Sequence, residues 1–424
     1  MSIEIFGIII FLITLPLCYK KENLLLASVF FAPFYECGVI SFSSFYLQPG
    51  HFFLFLYIGI LFVKGYKRKI VNIVKPDLFL STFLFSAVLS IAVAIVFQIN
   101  TLSYGIGNGV QLEYSAVDLQ NFTQLLYLIT GFVLYWLIIN YCDSKDRWKK
   151  LITIFLLSGI MVLAIGAYQL LAAFYDLPFT VIFRTQHHEM WQQLSRVQST
   201  MGEASFLGQY FTWLLSIVIA GYQWESTIGR MLMISAILSL GVMTRSSTVL
   251  IGVFVVFISY GLFQKFSIKM LLKYLACIVA FIVFFSYLYF TNEYVEILVD
   301  NTISKIQLNT TSGVQRTEVF EYMFGVGLNY PITGIGYGGG RSTDLYSSIF
   351  ATTGMFGFVS FFGFIVNCIR KLIFNRDIEG VLVCILLLLG IVVTGISVPE
   401  INYLVLWVLF AIIDSKIRLI YPKK

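Results

Sequence analysis

Arg316 is the residue whose setting points most clearly to chemistry. It lies in 309–340, the least hydrophobic long stretch of a chain that is otherwise almost entirely apolar. At 100° per residue, Arg316 falls on the same helical face as Val319 and Met323. A guanidinium on such a face lies against protein or a cavity, which is costly unless an anion meets it. The pattern predicts an anion-binding arginine, with an arginine that reaches water over its apolar neighbours as the alternative.

The helix that carries Arg316 is predicted to be short. Ser312 can cap its N-terminus, Gly325 and Gly327 can end it, and Pro331 blocks any continuation. Glutamates on the helix are expected to face away from its apolar side.

Three more arginines lie in polar segments of the chain. Arg196 precedes an apolar helix, Arg245 is at the tip of a predicted hairpin, and Arg341 follows a glycine run. Arginine offers a planar fork of donors that matches phosphates and carboxylates, which lysine does not. The glycine run permits close backbone approach and a nest of N–H groups for an anion. Its members are Gly334, Gly336, Gly338, Gly339 and Gly340.

Glu203 follows Arg196 closely in the sequence, and two interpretations of it stay open. In the first, Thr200 and Glu203 form a capping box at the start of the next helix. In the second, the helix starts earlier, so Arg196, Thr200 and Glu203 form one polar stripe at the membrane boundary. The second interpretation places a candidate base beside an anion-binding arginine.

The adjacent pair His187 and His188 does not predict a metal site. Neighbouring side chains in a helix or an extended segment point apart, and no further ligands cluster near them in the sequence. His51 is expected at a membrane interface. Glu36 in the second predicted helix and Glu400 near the end of the twelfth are candidates for function, because carboxylates inside membrane segments are costly.

The chain as a whole has the composition of a membrane protein. Of its 424 residues, 58% are hydrophobic and only 12% are charged, whereas a soluble domain has roughly twice that charged fraction. We therefore expect an all-α polytopic membrane protein, with 1–424 as a single transmembrane domain. The net charge of +6 is attributed to membrane topology and predicts no binding of nucleic acid.

Thirteen apolar segments are drawn as membrane crossings, since each can span much of a hydrocarbon layer about 30 Å thick. All but six of the 28 Lys and Arg residues fall near alternate segment ends, on one side. The positive-inside rule therefore predicts an extracytoplasmic N-terminus and a cytoplasmic C-terminus, with two long outer segments at 176–203 and 291–345. The six outer residues are Arg184, Arg196, Arg245, Lys305, Arg316 and Arg341. The predicted crossings are 3–19, 23–40, 46–63, 78–98, 119–141, 151–175, 204–222, 231–244, 248–263, 271–290, 346–369, 380–398 and 402–417.

Three motifs, in this order and on one predicted side, resemble those of a known family. The first is Arg196 with Ser-Thr-Met-Gly-Glu-Ala-Ser at 199–205, and the second is Thr-Arg-Ser-Ser at 244–247. The third is Gln315-Arg316 followed by Pro331-x-x-Gly334-x-Gly336-x-Gly338. They resemble the Arg…Glu-Pro-Ser element, the Ser-Arg-Ser hairpin and the large periplasmic loop of the bacterial O-antigen polymerase (Wzy-type) and O-antigen ligase superfamily. Arg316 and Gly327 also fit an Arg-x10-Gly spacing described for such polymerases.

Two departures bear on the choice within this superfamily. Ala204 stands where a proline is usual, and 341–346 lacks the histidine that ligases usually carry before the next helix. The resemblance therefore favours a polymerase over a ligase.

The resemblance implies a fold similar to that of GT-C-like lipid-sugar glycosyltransferases, with no metal and no cofactor. It implies undecaprenyl-pyrophosphate-linked glycans as substrates, joined into O-antigen or capsular polysaccharide at the outer face of the inner membrane. Besides membrane lipids, a flippase and a chain-length regulator of the same pathway are implied partners.

The resemblance also implies roles for residues. Arg196 and Arg316 would hold the pyrophosphate, with Arg245 and Arg341 in support, and Glu203 would act as the base. Other expected participants are Glu321 and Asp344 as reserve bases, and Gly336, Tyr337 and Gly338 as substrate contacts.

Three other functions are alternatives to a polymerase. A ligase would move the polymer to another acceptor. A glycan transporter would need charges along its helix interiors, which are few here. A membrane scaffold would give the outer arginines no role.

Overall fold

The apolar segments form a predominantly helical structure. The computed structural model of the protein describes residues 2–41, 46–63, 74–104, 111–115, 117–183, 196–221, 226–263, 311–375 and 378–422, with single positions between 287 and 300. Within them the helices are α1 (Ile5–Leu17), α2 (Lys21–Phe31), α3 (Pro49–Val63), α4 (Leu78–Val96), α5 (Leu119–Tyr141), α6 (Lys145–Tyr175), α7 (Thr180–Phe183), α8 (Ala204–Ile219), α9 (Thr227–Met243), α10 (Ser247–Phe263), α11 (Thr311–Asn329), α12 (Leu345–Ile373), α13 (Val381–Thr394) and α14 (Leu404–Ile420). The strands are β1 (Ser2–Ile3), β2 (Ile40–Ser41), β3 (Tyr46–Leu47), β4 (Asn100–Tyr104) and β5 (Gln111–Ser115).

Two helices occupy the centre of the structure. Every residue of α8 is buried, and so is 404–417 of α14. Helices that are buried around their whole circumference are covered by neighbours on every side. Accordingly, α14 packs on α5, while α8 packs on α10 and α13. The helix α12 packs on α4 and α11 at the side of this core.

Four of the described helices are long and apolar enough to cross a membrane, namely α4, α5, α6 and α12. Six other apolar helices are shorter, with 10–17 residues each. Twelve of the thirteen predicted segments coincide with helices, so the predicted helical architecture is confirmed in its main elements. The remaining segment, 271–290, lies almost wholly outside the described residues.

The second predicted helix is shorter than expected. α2 ends at Phe31, so Glu36 lies in the loop that follows and not within a helix. The Glu36 N–H donates to the Thr200 carbonyl at 3.0 Å. A Cβ on Gly202 would lie only 2.7 Å from the Glu36 carboxylate. Glu36 therefore borders the segment that carries Arg196.

α11 is longer than predicted. It continues through Gly325 and Gly327 and ends at Asn329, two residues before Pro331. Gly327 lies inside the helix, where a Cβ would collide with the ring of Phe350. The glycine lets α11 approach α12 closely.

α12 is interrupted where a single unbroken span was predicted. Gly354 has φ 65° and ψ −168°, which is not helical. The Met355 N–H donates to the Pro331 carbonyl at 2.7 Å. The segment that follows α11 thus lies against the interruption. Its Pro331 carbonyl accepts a hydrogen bond from an N–H that no longer bonds within the helix.

Short strands add two small antiparallel sheets, which the all-α expectation missed. β2 pairs with both β1 and β3. β4 and β5 form a hairpin with Asn100 opposite Ser115. Each strand has five residues or fewer, which is too short for a period of two to stand out in the sequence.

The two ends of the helices differ in their charges. At one end, the Lys416 ammonium lies 4.8 Å from the centroid of the Trp148 ring. There too, Arg418 Nε and the Tyr135 hydroxyl donate to Asp414 at 2.8 Å and 2.6 Å. We call the other end the arginine end, after Arg196, Arg245, Arg316 and Arg341.

Candidate functional site

Arg196 lies within a group of charges at the arginine end. Burial lowers the pKa of the Arg196 guanidinium, the Glu203 carboxylate raises it, and the charges of Arg316 and Arg245 lower it again. Arg245, Arg316 and Glu203 therefore all lie close enough to Arg196 for their charges to act on it. Arginines stay protonated at neutral pH. Because like charges held together repel, a bound anion would stabilise the group.

Backbone contacts hold Arg196 against the turn between α9 and α10. Its Nε donates to the Thr244 carbonyl at 2.9 Å, and the Val197 N–H donates to the Met243 carbonyl at 3.1 Å. Arg245 occupies this turn in the left-handed region, with φ 49°, at the predicted hairpin tip. A carbonyl carries no net charge, so the Arg196 guanidinium keeps its positive charge.

Arg316 approaches the same group from α11. It lies one turn before Val319 and two turns before Met323, which are both buried, whereas Arg316 itself is exposed. Its Nη1 donates to the Ser397 carbonyl at 3.3 Å, and the Thr343 hydroxyl donates to the Arg316 carbonyl at 3.1 Å. Arg316 therefore contacts protein through its Nη1 while most of its side chain stays exposed.

The loop between α13 and α14, 395–403, joins the arginine group to Arg341. In it, Glu400 forms an ion pair with Arg341, and the Glu400 side chain is 14% exposed. Burial raises the pKa of the Glu400 carboxyl above its ordinary value, while the Arg341 charge lowers it and the Glu203 charge raises it. Glu400, a candidate from the sequence, is thus electrostatically connected to both Arg341 and Glu203.

Neither interpretation of Glu203 agrees with the structure in detail. α8 begins after Glu203, whose side chain makes no capping hydrogen bond, and Thr200 instead donates to the Pro33 carbonyl at 2.8 Å. The capping box and the helical stripe are therefore both wrong. Glu203 is exposed and accepts a hydrogen bond from the Ser205 hydroxyl at 3.1 Å, and its charge still acts on Arg196.

The glycine run packs the chain against neighbouring helices. The N–H groups of Ile335 and Tyr337 donate to the Ala351 carbonyl at 2.9 Å and to the Ser90 hydroxyl at 3.0 Å. Both N–H groups donate to protein atoms and are not available to an anion, so the predicted anion nest is wrong at these two positions. Positive φ angles occur at Gly334 (68°), Gly336 (104°) and Gly338 (82°).

Asp344 and Glu321, the alternative candidates for the base, have different surroundings. The Asp344 carboxylate caps α12, accepting from the N–H groups of Tyr346 at 2.9 Å and Ser347 at 2.8 Å. It also accepts from the Ser342 hydroxyl at 2.8 Å, which gives it a structural role. Glu321 is exposed on α11.

A polar cavity of about 560 Å³ lies beside the Arg341–Glu400 pair. No local sequence pattern marks it, because its amide side chains come from the start of α5, from the 395–403 loop and from Gln48 before α3. His51, which was placed at a membrane interface, is buried and lines this cavity. Other lining residues are Tyr35, Asn121, Gln124, Tyr127, Tyr337 and Asn402.

The remaining sequence candidates lie elsewhere. Arg184, His187 and His188 fall outside the described residues. Within the described part of the chain, no three His, Cys, Asp or Glu side chains gather as metal ligands would.

No protein-family model matches the chain, and no curated protein matches it. The fold and the site therefore define only a class: a predominantly helical protein with helices able to cross a membrane, which carries a cluster of arginines and carboxylates at one end.

Proposed function

We propose that the chain is a metal-independent glycosyltransferase that polymerises undecaprenyl-pyrophosphate-linked repeat units into O-antigen or capsular polysaccharide, as the motif resemblance suggests. The observation that carries the proposal is the placement of Arg196 against the turn that holds Arg245, where the charges of Arg245, Arg316 and Glu203 act on it. Three arginines from separate elements, with a carboxylate beside them, are what a diphosphate leaving group and an acceptor hydroxyl require.

The reaction assigns a role to each part. The acceptor hydroxyl attacks the anomeric carbon of the donor sugar, and the bond from that carbon to the pyrophosphate oxygen breaks. The electron pair stays on the leaving lipid pyrophosphate, whose growing charge Arg196 and Arg316 stabilise. Glu203 takes the proton of the acceptor hydroxyl. Each preorganised donor of this kind contributes on the order of a hundredfold in rate.

The proposal includes the membrane arrangement expected from the sequence. The chain would cross the inner membrane thirteen times, with the arginine end outside and the Lys416 end in the cytoplasm. Its substrates would be delivered by a flippase, and a chain-length regulator would act on the product. Four helices of sufficient length and apolar character support a membrane location.

Profiling of lipid-linked glycans tests the assignment. Arg196→Ala and Arg316→Ala should each abolish long-chain polysaccharide while single lipid-linked repeats accumulate, because the leaving-group charge loses its partner. The Arg→Lys variants should recover activity only partly, since lysine lacks the fork. Arg370→Ala, at an exposed arginine in the last turn of α12, is the matched control and should behave as wild type.

The profile also separates the alternatives. Normal chain lengths in both alanine variants would refute the arginine assignment. Polymer that accumulates on the lipid carrier without reaching its acceptor would indicate a ligase. Repeats trapped on the cytoplasmic face would indicate a transporter.

A further inference from the structure

The cavity beside the Arg341–Glu400 pair has polar walls that the proposed chemistry does not use. The Asn121 amide donates to the Tyr337 carbonyl at 2.8 Å, and the Tyr337 hydroxyl donates to the Asn402 amide oxygen at 2.6 Å. The Asn402 amide nitrogen donates in turn to Gln124 at 2.5 Å. This chain of hydrogen bonds fixes the direction in which each amide points, as a preorganised binding site requires.

His51 is the unusual member of this cavity. The residue is 3% exposed, and neither ring nitrogen has a hydrogen-bond partner among the residues that the structure describes. Its ring meets that of Tyr127 edge-on, with centroids 5.4 Å apart. Buried polar atoms are nearly always partnered. His51 is thus a polar side chain in the cavity wall whose hydrogen-bonding capacity the described residues leave unused.

The charges around the cavity favour a neutral ligand. Besides His51, the lining residues of acidic or basic type are Asp118, Arg341 and Glu400. Arg341 and Glu400 pair with each other, and the Asp118 carboxylate caps α5 by accepting from the Gln120 N–H at 2.8 Å. The cavity therefore has no cation left over for a phosphate, unlike the arginine group.

We propose that this cavity binds an uncharged sugar residue, with His51 as a hydrogen-bonding residue that helps to select it. Amide groups both donate to and accept from sugar hydroxyls, and the rings of Tyr35 and Tyr127 offer apolar surfaces with a polar edge. A cavity of about 560 Å³ is within the usual size of small-molecule sites. The assignment of this sugar to the lipid-linked glycan rests on the proposed function.

Saturation-transfer difference NMR on the purified protein in detergent tests this binding. The probes are maltose, lactose and chitobiose, which are neutral and cover hexose and N-acetylhexosamine units. At least one should bind the wild type, and His51→Phe should weaken that binding about tenfold, as expected for loss of one hydrogen bond. Gln124→Leu, on another part of the wall, should weaken it as well, so the test does not depend on one variant folding.

Three outcomes would overturn the proposal: no binding of any disaccharide, unchanged binding in both variants, or displacement of the sugar by inorganic pyrophosphate. Arg316→Ala should leave disaccharide binding intact. This separates the two hypotheses, since normal polysaccharide in the Arg316 and Arg196 variants would refute the proposed function without affecting the sugar result.

Discussion

The arginines at the arginine end differ in what holds them. Arg196 and Arg316 donate to backbone carbonyls of Thr244 and Ser397, which leaves their charges available to a ligand. Arg341 instead pairs with Glu400. Residue type alone could not show this difference, because it depends on which loop each side chain reaches. The Arg341 charge is therefore less available to a pyrophosphate than the charges of Arg196 and Arg316.

The Arg341–Glu400 ion pair leads to a prediction about how stability depends on pH. Arg341→Ala leaves the Glu400 carboxylate without its partner, so the pKa of Glu400, already raised by burial, should rise further. Folding then favours the protonated acid, and stability is lost as the pH rises through that pKa. We expect a loss of about 1–2 kcal/mol at neutral pH, kept small because Arg341 is largely exposed.

Thermal unfolding in detergent measures this effect. The decrease in Tm for Arg341→Ala should be largest at neutral pH and should shrink as the buffer is made acidic. In a Glu400→Gln background, the same substitution should have little effect at any pH. A decrease of equal size in both backgrounds would show that the ion pair contributes nothing.

At the scale of elements, the packing of α11 on α12 decides where Arg316 lies. Val319 and Met323 are buried, whereas Phe320 and Phe324, the residues that follow each of them, are 41% and 43% exposed. The sequence pattern identified the helix but not the width of its buried face.

Two glycines of α11 provide a matched test. Gly327→Ala should destabilise the protein by roughly 1–3 kcal/mol, because its methyl group would collide with Phe350. Displacement of the helix should also reduce polymer formation through Arg316. A Cβ at Gly325 would meet no described atom within 4 Å. Gly325→Ala should therefore be neutral or stabilising by up to about 1 kcal/mol.

Thermal unfolding and polysaccharide profiles of the two variants, side by side, check this prediction. Equal behaviour would mean that the close approach of α11 to α12 does not matter. A stable Gly327→Ala variant with normal polymer would have the same meaning.

At the scale of the whole molecule, hydrophobic segments predict the helices well, because an apolar run of that length has few alternatives in a membrane protein. The residues of the arginine group were also found from sequence, since arginine in an apolar chain is conspicuous. The contacts that join distant segments were not. Glu36 against Gly202, the break at Gly354 and the His51 cavity all depend on tertiary neighbours that no local pattern encodes.

The proposed orientation can be measured independently of activity. Gln120 is exposed at the arginine end, and Lys149 lies at the opposite end. In intact cells, a membrane-impermeant thiol reagent should label Gln120→Cys but not Lys149→Cys, since the first residue would lie outside. Permeabilised cells should label both. Labelling of Lys149→Cys alone in intact cells would show the opposite topology.

The most direct test of the central claim is lipid binding to the purified protein in nanodiscs, measured by native mass spectrometry. The wild type should bind undecaprenyl pyrophosphate at least about tenfold more tightly than undecaprenyl phosphate, and Arg196→Ala and Arg316→Ala should each lose that preference. Arg370→Ala should retain it. Equal binding of the two lipids by the wild type, or an unchanged preference in both arginine variants, would contradict a diphosphate site built from these arginines.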